Sequence, residues 1–141
     1  MTKAAKLILL PRFEIDMALK AIAKEKPTLF PGVPRMYIAL NQDPRTPKHD
    51  LASLKACISG AAPLPMAVAK RFEEITGGAT VVEGYGLSEC SPVTHANPLV
   101  GVRKEGFIGM PLPDTDVKLV DLDEPDREMP QGERGEMCVK G

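Results

Sequence analysis

Apolar positions along this chain alternate between two spacings. Lys6–Leu10 is a short apolar run that Pro11 stops, and it predicts a strand. Ile15, Met17, Ala18, Leu19 and Ile22 recur at intervals of three and four, which predicts a helix over Glu14–Lys24. Thr28–Phe30 predicts a second strand. The turn Pro31-Gly32-Val33-Pro34 follows it, and Pro34 can open a helix over Arg35–Leu40. Asn41–Asp50, with Pro44 and Pro47, predicts an exposed loop. Leu54–Ile58 is the third expected strand. Pro65 then opens a helix reaching Ile75, with Val68, Phe72 and Ile75 on one face and Gly77-Gly78 at its end. Thr80–Val82 is the fourth expected strand.

Alternating strands and helices with short connections predict an α/β fold. Residues 1–97 are expected to form a partial, mostly parallel sheet with flanking helices. Ligands in such sheets bind outside the carboxyl ends of the strands. After Asn97 the pattern changes. Gly101, Gly106, Gly109, Pro111 and Pro113 interrupt the chain, while Asp116–Val120 and Glu136–Val139 alternate at the period of a strand. Residues 98–141 are therefore expected to begin a small antiparallel β-rich segment.

Charge adds a polarity between the two ends of the chain. Residues 1–50 carry nine Lys/Arg against five Asp/Glu, and residues 51–141 carry nine against fourteen. Half of those later acids lie between Asp114 and Glu128, and the run reads as a solvated loop or hairpin face, a polyvalent metal site being the alternative if the carboxylates converge. The net charge of −1 and ordinary apolar content argue against disorder and against general nucleic-acid binding. Cys57, Cys90 and Cys138 are far apart, with neither zinc spacing nor a disulfide framework, so reduced thiols in the cytosol are expected. The apolar part of the first ten residues is too short for a secretory core or a membrane span. Peripheral membrane association stays open.

Candidate chemistry gathers at two glycine-rich stretches, each after an expected strand. Gly60, Ala61 and Ala62 are small enough for a planar ligand to approach, or they form only a tight strand-to-helix connection. Tyr85, between Gly84 and Gly86, can be a stacking platform or a core anchor. Ser88 can donate to a phosphate oxygen or cap a turn. Glu89 can hold Mg²⁺, which takes its other ligands from water and substrate phosphate, or it is a first-turn carboxylate. His95 can face a reacting carboxylate or bond to backbone, and His49 lies in the polar loop. Cys90 has no activating neighbour in sequence. No Ser/His/Asp triad is legible, and neither Gly-x-x-x-x-Gly-Lys-Ser/Thr nor Gly-x-Gly-x-x-Gly occurs.

Ser59-Gly60-Ala61-Ala62-Pro63-Leu64-Pro65, followed by Glu83-Gly84-Tyr85-Gly86-Leu87-Ser88-Glu89, resembles the AMP-forming acyl-CoA synthetases of the adenylate-forming superfamily. Lys26–Pro34 looks most like the bacterial long-chain fatty-acid–CoA ligases. Gly132-Glu133-Arg134-Gly135-Glu136, ending at Gly141, resembles a motif near the end of their N-terminal domain. By matching position, the resemblance implies that Gly60, Ala61 and Ala62 line the adenine pocket. Gly84, Tyr85 and Gly86 would flank it, with Tyr85 stacked on the ring. Ser88, where the family often has Thr, would contact the α-phosphate, and Glu89 would coordinate Mg²⁺. The implied reaction joins a fatty acid to coenzyme A through acyl-AMP, with ATP and Mg²⁺. A homodimeric full enzyme is compatible with it. The family's phosphate loop with its lysine, its ribose-binding aspartate and its C-terminal catalytic lysine have no counterpart in these 141 residues. The chain is thus expected to be an internal fragment, inactive by itself. Two readings compete: an adenylating enzyme for another carboxylic acid, and an inert binding or structural piece.

Overall fold

The computed structural model describes residues 4–90 and 92–140; the end of the closing motif at Gly141 lies outside them. Helix α1 spans Ile15–Glu25 and buries Ala18, Leu19 and Ile22, the stripe its spacing predicts. Asp16 in its first turn and Lys24 in its last complement the helix dipole. Strand β1 (Leu29–Gly32) leads into α2 (Pro34–Gln42), with Pro34 in the first turn, where its missing N–H costs nothing. The expected loop contains a 3-10 turn at Thr46–Lys48, in which the buried Thr46 hydroxyl donates to the Leu40 carbonyl at 2.6 Å. Strand β2 (Ala56–Ser59) and helix α3 (Met66–Thr76) follow. Gly77 ends α3 at φ 78°, and the Gly78 N–H reaches the Glu73 carbonyl at 2.8 Å.

Strand β3 spans Thr80–Gly86, β4 Val93–Ala96 and β5 Met110–Pro111; together with β1 and β2 they form one five-stranded sheet in the order β1-β2-β3-β4-β5. The first three strands are parallel, with Phe30, Cys57 and Val81 in register. Strands β4 and β5 continue the sheet antiparallel. A separate antiparallel pair joins β6 (Asp116–Val120) to β7 (Glu136–Lys140). The mixed, mostly parallel sheet with flanking helices and the small antiparallel pair match the fold class expected from sequence.

Phe30, Cys57 and Val81 share one face of the sheet, and residues from all three helices close over it. Leu19, Ile22, Tyr37, Leu40, Leu51, Leu54 and Phe72 complete that core. Its centre is aromatic. The Tyr37 and Phe72 rings meet edge to face at 5.1 Å, and Phe30 lies 5.6 Å from Tyr37. The Tyr37 hydroxyl donates to the carbonyls of Phe30 (2.8 Å) and Ile58 (3.1 Å), tying α2 to β1 and β2. Burial pushes that phenol well above its usual range and the Cys57 thiol up to about 12. Cys57 is accordingly a small core residue here, with no thiolate character at neutral pH.

The Lys6–Leu10 strand does not form. Those residues belong to no regular element; Leu7 and Leu9 are exposed, and Lys6 pairs with Glu25 of α1. A strand needs a neighbour for its backbone groups, and among the described residues none adjoins this segment. Strand β4 was not legible as a strand. Four residues after a turn and a proline carry too short a pattern.

Candidate functional site

Parallel pairing of β2 with β3 brings the two glycine-rich stretches together at one end of the sheet. Ser59 is the last residue of β2 and lies opposite Glu83. The Gly60 N–H continues the ladder to the Gly32 carbonyl at 3.1 Å. A Cβ built on Gly60 would stand 3.7 Å from the Gly84 carbonyl oxygen, an ordinary contact. The loop after β2 therefore lies directly against the end of β3. Glu83 ties them further, because its carboxylate accepts the Leu64 N–H at 3.3 Å. From sequence this tether was visible only as a charged residue inside a β-branched run.

Gly84-Tyr85-Gly86 lies inside β3, not after it, and pairs with β4. Both glycines answer to close neighbours. A Cβ at Gly84 would press on the Ile58 side chain at 3.2 Å, and one at Gly86 would overlap the Pro92 carbonyl. That carbonyl accepts the Leu87 N–H at 2.7 Å, closing a tight return around a 3-10 turn at Ser88–Cys90. The ladder shifts register between Tyr85 and Gly86. This irregularity turns Leu87, Ser88 and Glu89 out to solvent, and all three are exposed.

The loop between β2 and α3 is also specialised. Ala61 and Ala62 are exposed, and Ala61 adopts φ 69°, a left-handed conformation that disfavours a Cβ. The Ser59 hydroxyl is fully buried beside this loop and has no hydrogen-bond partner among the described residues. Ala61→Gly is expected to raise stability by about 0.5–1 kcal/mol by removing the strain. Urea denaturation monitored by circular dichroism measures this; a lowered midpoint would mean that Ala61 sits there at no cost.

Tyr85 is half-buried and stands opposite His95 on β4, ring centroids 6.1 Å apart. His95 is 4% exposed, and burial lowers its pKa below the ordinary histidine value. Its Nδ1 lies 2.9 Å from the Thr94 hydroxyl. The sequence left His95 to face a reacting carboxylate or to bond to backbone; the hydrogen-bond partner its ring has here is a side chain, Thr94. Ser88 and Glu89 follow the bulge at the end of β3, and Gly60–Ala62 follow β2 at the same end of the sheet, whereas His49 caps the turn at Thr46–Lys48. Among the described residues no three carboxylate, histidine or cysteine side chains cluster to hold a metal, and no helix is long and apolar enough to cross a membrane.

In open α/β sheets ligands bind outside the carboxyl ends of the strands, and it is there, after adjacent parallel strands, that these two loops meet. The chain belongs to the AMP-binding enzyme family, whose profile matches residues 1–141. It is 50% identical over 135 residues to a long-chain-fatty-acid–CoA ligase of Bacillus subtilis, covering 96% of this chain and 24% of that protein. A long-chain-fatty-acid–CoA ligase of Escherichia coli O6:H1 is 40% identical, with 96% and 23% covered. The chain thus spans about a quarter of the length of these curated relatives. Among solved structures, the anthranilate CoA ligase AuaEII in complex with anthranoyl-AMP superposes with a TM-score of 0.85 at 30% identity, covering 96% of this chain and 26% of that one. Apo MatB from Rhodopseudomonas palustris superposes with a TM-score of 0.81 at 35% identity, covering 94% and 25%.

Proposed function

We propose that this chain carries the adenine, α-phosphate and Mg²⁺ wall of an ATP-dependent long-chain fatty-acid–CoA ligase. The observation that carries the reading is the contact between the Gly60–Ala62 loop and the Gly84–Gly86 strand end, locked by the Glu83–Leu64 bond. Small residues on one side and the half-exposed Tyr85 ring near the other leave room for a flat base. Gly60, Ala61 and Ala62 line the base, and Tyr85 stacks on it. Ser88 donates its hydroxyl to an α-phosphate oxygen. The exposed Glu89 carboxylate suits Mg²⁺, which needs few protein ligands when phosphates and water complete its shell. Bound there, Mg²⁺ would offset negative charge on the phosphate oxygens.

In this reading the fatty carboxylate attacks the α-phosphorus, and pyrophosphate leaves. Coenzyme A thiolate then attacks the acyl carbon, and AMP leaves. The residues of this wall orient the nucleotide and steady developing charge, and the attacking groups come from the substrates. No protein nucleophile is required, which agrees with the lack of a triad in the sequence. Identity with the Bacillus subtilis ligase favours a fatty acid as the carboxylate.

The test uses the 141-residue chain. Pyrophosphate exchange with palmitate and ATP–Mg²⁺ is expected to give no turnover, since both lysines of the family's chemistry lie outside these residues. AMP binding, followed by NMR titration, is expected to be retained and to fall about ten-fold in Tyr85→Ala, the scale of one base–aromatic stack. Unchanged affinity in Tyr85→Ala would sink the stacking role. A non-hydrolysable palmitoyl-adenylate that binds no better than its coumaroyl counterpart would count against the fatty-acid reading.

A further inference from the structure

The Tyr85 ring projects from a strand end beside a register shift, where backbone pairing alone holds it poorly. Something must fix its orientation if it is to serve as a platform. The neighbouring strand supplies two side chains for this. His95 is the direct cross-strand partner of Tyr85, so both side chains leave the sheet on the same side. Their rings meet at 6.1 Å and 67°, an edge-to-face geometry in the attractive range for aromatic pairs. Thr94 joins them a second time. Its Oγ1 lies 3.4 Å from the Tyr85 carbonyl and 2.9 Å from His95 Nδ1.

A hydroxyl has one proton to donate. Given to the Tyr85 carbonyl, it leaves Oγ1 to accept from Nδ1–H of a neutral imidazole. Thr94 is fully buried and His95 nearly so, which keeps water from competing for either contact. Burial also favours the neutral ring that this arrangement needs. An imidazole so enclosed is poorly placed to meet a substrate carboxylate directly. It is well placed to hold a ring that does meet a ligand.

We propose that His95 is a positioning residue, which with Thr94 braces the Tyr85 ring and backbone from β4 and so sets the plane on which the nucleotide base stacks. The inference rests on the stacking role of Tyr85 proposed above. It assigns His95 no contact with substrate. Its consequence is selective: loss of the brace weakens contacts to the base and leaves contacts to the phosphate unchanged.

A double-mutant cycle on the whole chain tests this, with AMP and ribose 5-phosphate as the two probes. His95→Ala is expected to weaken AMP binding about five-fold, the middle of the range for an aromatic pair, and to leave ribose 5-phosphate binding unchanged. In a Tyr85→Ala background the same substitution is expected to change AMP binding less than two-fold, because no ring remains to be braced. His95→Phe, which keeps a ring against Tyr85, is expected to recover AMP affinity to within two-fold of the parent. It carries the test if the alanine variant fails to fold. Full additivity of His95→Ala and Tyr85→Ala overturns the proposal. So does an equal loss for both probes, or no recovery in His95→Phe. If Tyr85→Ala alone leaves AMP binding intact, the stacking reading itself fails, and the brace has nothing to position. The two failures are therefore separable.

Discussion

Phe72→Ala is expected to destabilise the protein by about 3–5 kcal/mol, the range for removing a fully buried aromatic ring. Phe72 is completely buried, and it is the only aromatic residue that α3 places in the core. It touches the other two rings of the cluster, Tyr37 at 5.1 Å and Phe30 at 6.3 Å. Those rings come from α2 and β1, so one side chain joins three elements. Truncation leaves a cavity that cannot close easily. Tyr37 is held in place by its two hydrogen bonds to strand carbonyls and cannot swing in without breaking them. Total stabilities of small domains lie at about 5–15 kcal/mol, so the loss is a large share. Urea denaturation followed by far-UV circular dichroism measures it. A shift below about 1 kcal/mol would mean that the aromatic cluster is not the centre of the core.

Gly86→Ala is the second large effect, and it links fold to site. A Cβ there would overlap the Pro92 carbonyl, and the obstacle is backbone, not a flexible side chain. The strands must separate at the bulge, which strains or breaks the 2.7 Å bond from the Leu87 N–H to Pro92. The expected cost is about 3 kcal/mol, the upper end for forcing atoms into occupied space. AMP affinity is expected to fall at least about ten-fold, equivalent to 1.4 kcal/mol, because the return that presents Ser88 moves with the bulge. Gly60→Ala is the control. Its Cβ would meet only the Gly84 carbonyl at an ordinary 3.7 Å, so stability is expected to change little. A Gly86→Ala variant as stable as its parent would show that β4 can yield at this point.

Helices were the most legible elements. Ile15–Ile22 and Val68–Ile75 repeat apolar residues at three and four, and α1 and α3 appear where that spacing puts them. Pro34 and Gly77 mark helix ends for stereochemical reasons that act within a few residues. Strands were less secure. Lys6–Leu10 has the composition of a strand but gains no strand partner among the described residues, while Val93–Ala96 becomes one because Tyr85 and Gly84 lie beside it. The acidic run was also local. Asp121 accepts the N–H groups of Asp123 and Glu124 and meets Arg127, a self-contained turn between β6 and Glu128.

Local sequence determined the helices, the turns, the α/β alternation and the identities of the residues on the candidate rim. These follow from side-chain size, backbone freedom and apolar period, all of which act over a few positions. Only the tertiary structure decided that Gly60 adjoins Gly84, that Glu83 fastens Leu64, that Gly86 is crowded by Pro92, and that His95 lies against Tyr85. Each of these contacts joins separate elements through strand pairing and register. Register is set by the burial of whole faces, a property of the assembled sheet that no single window of sequence contains.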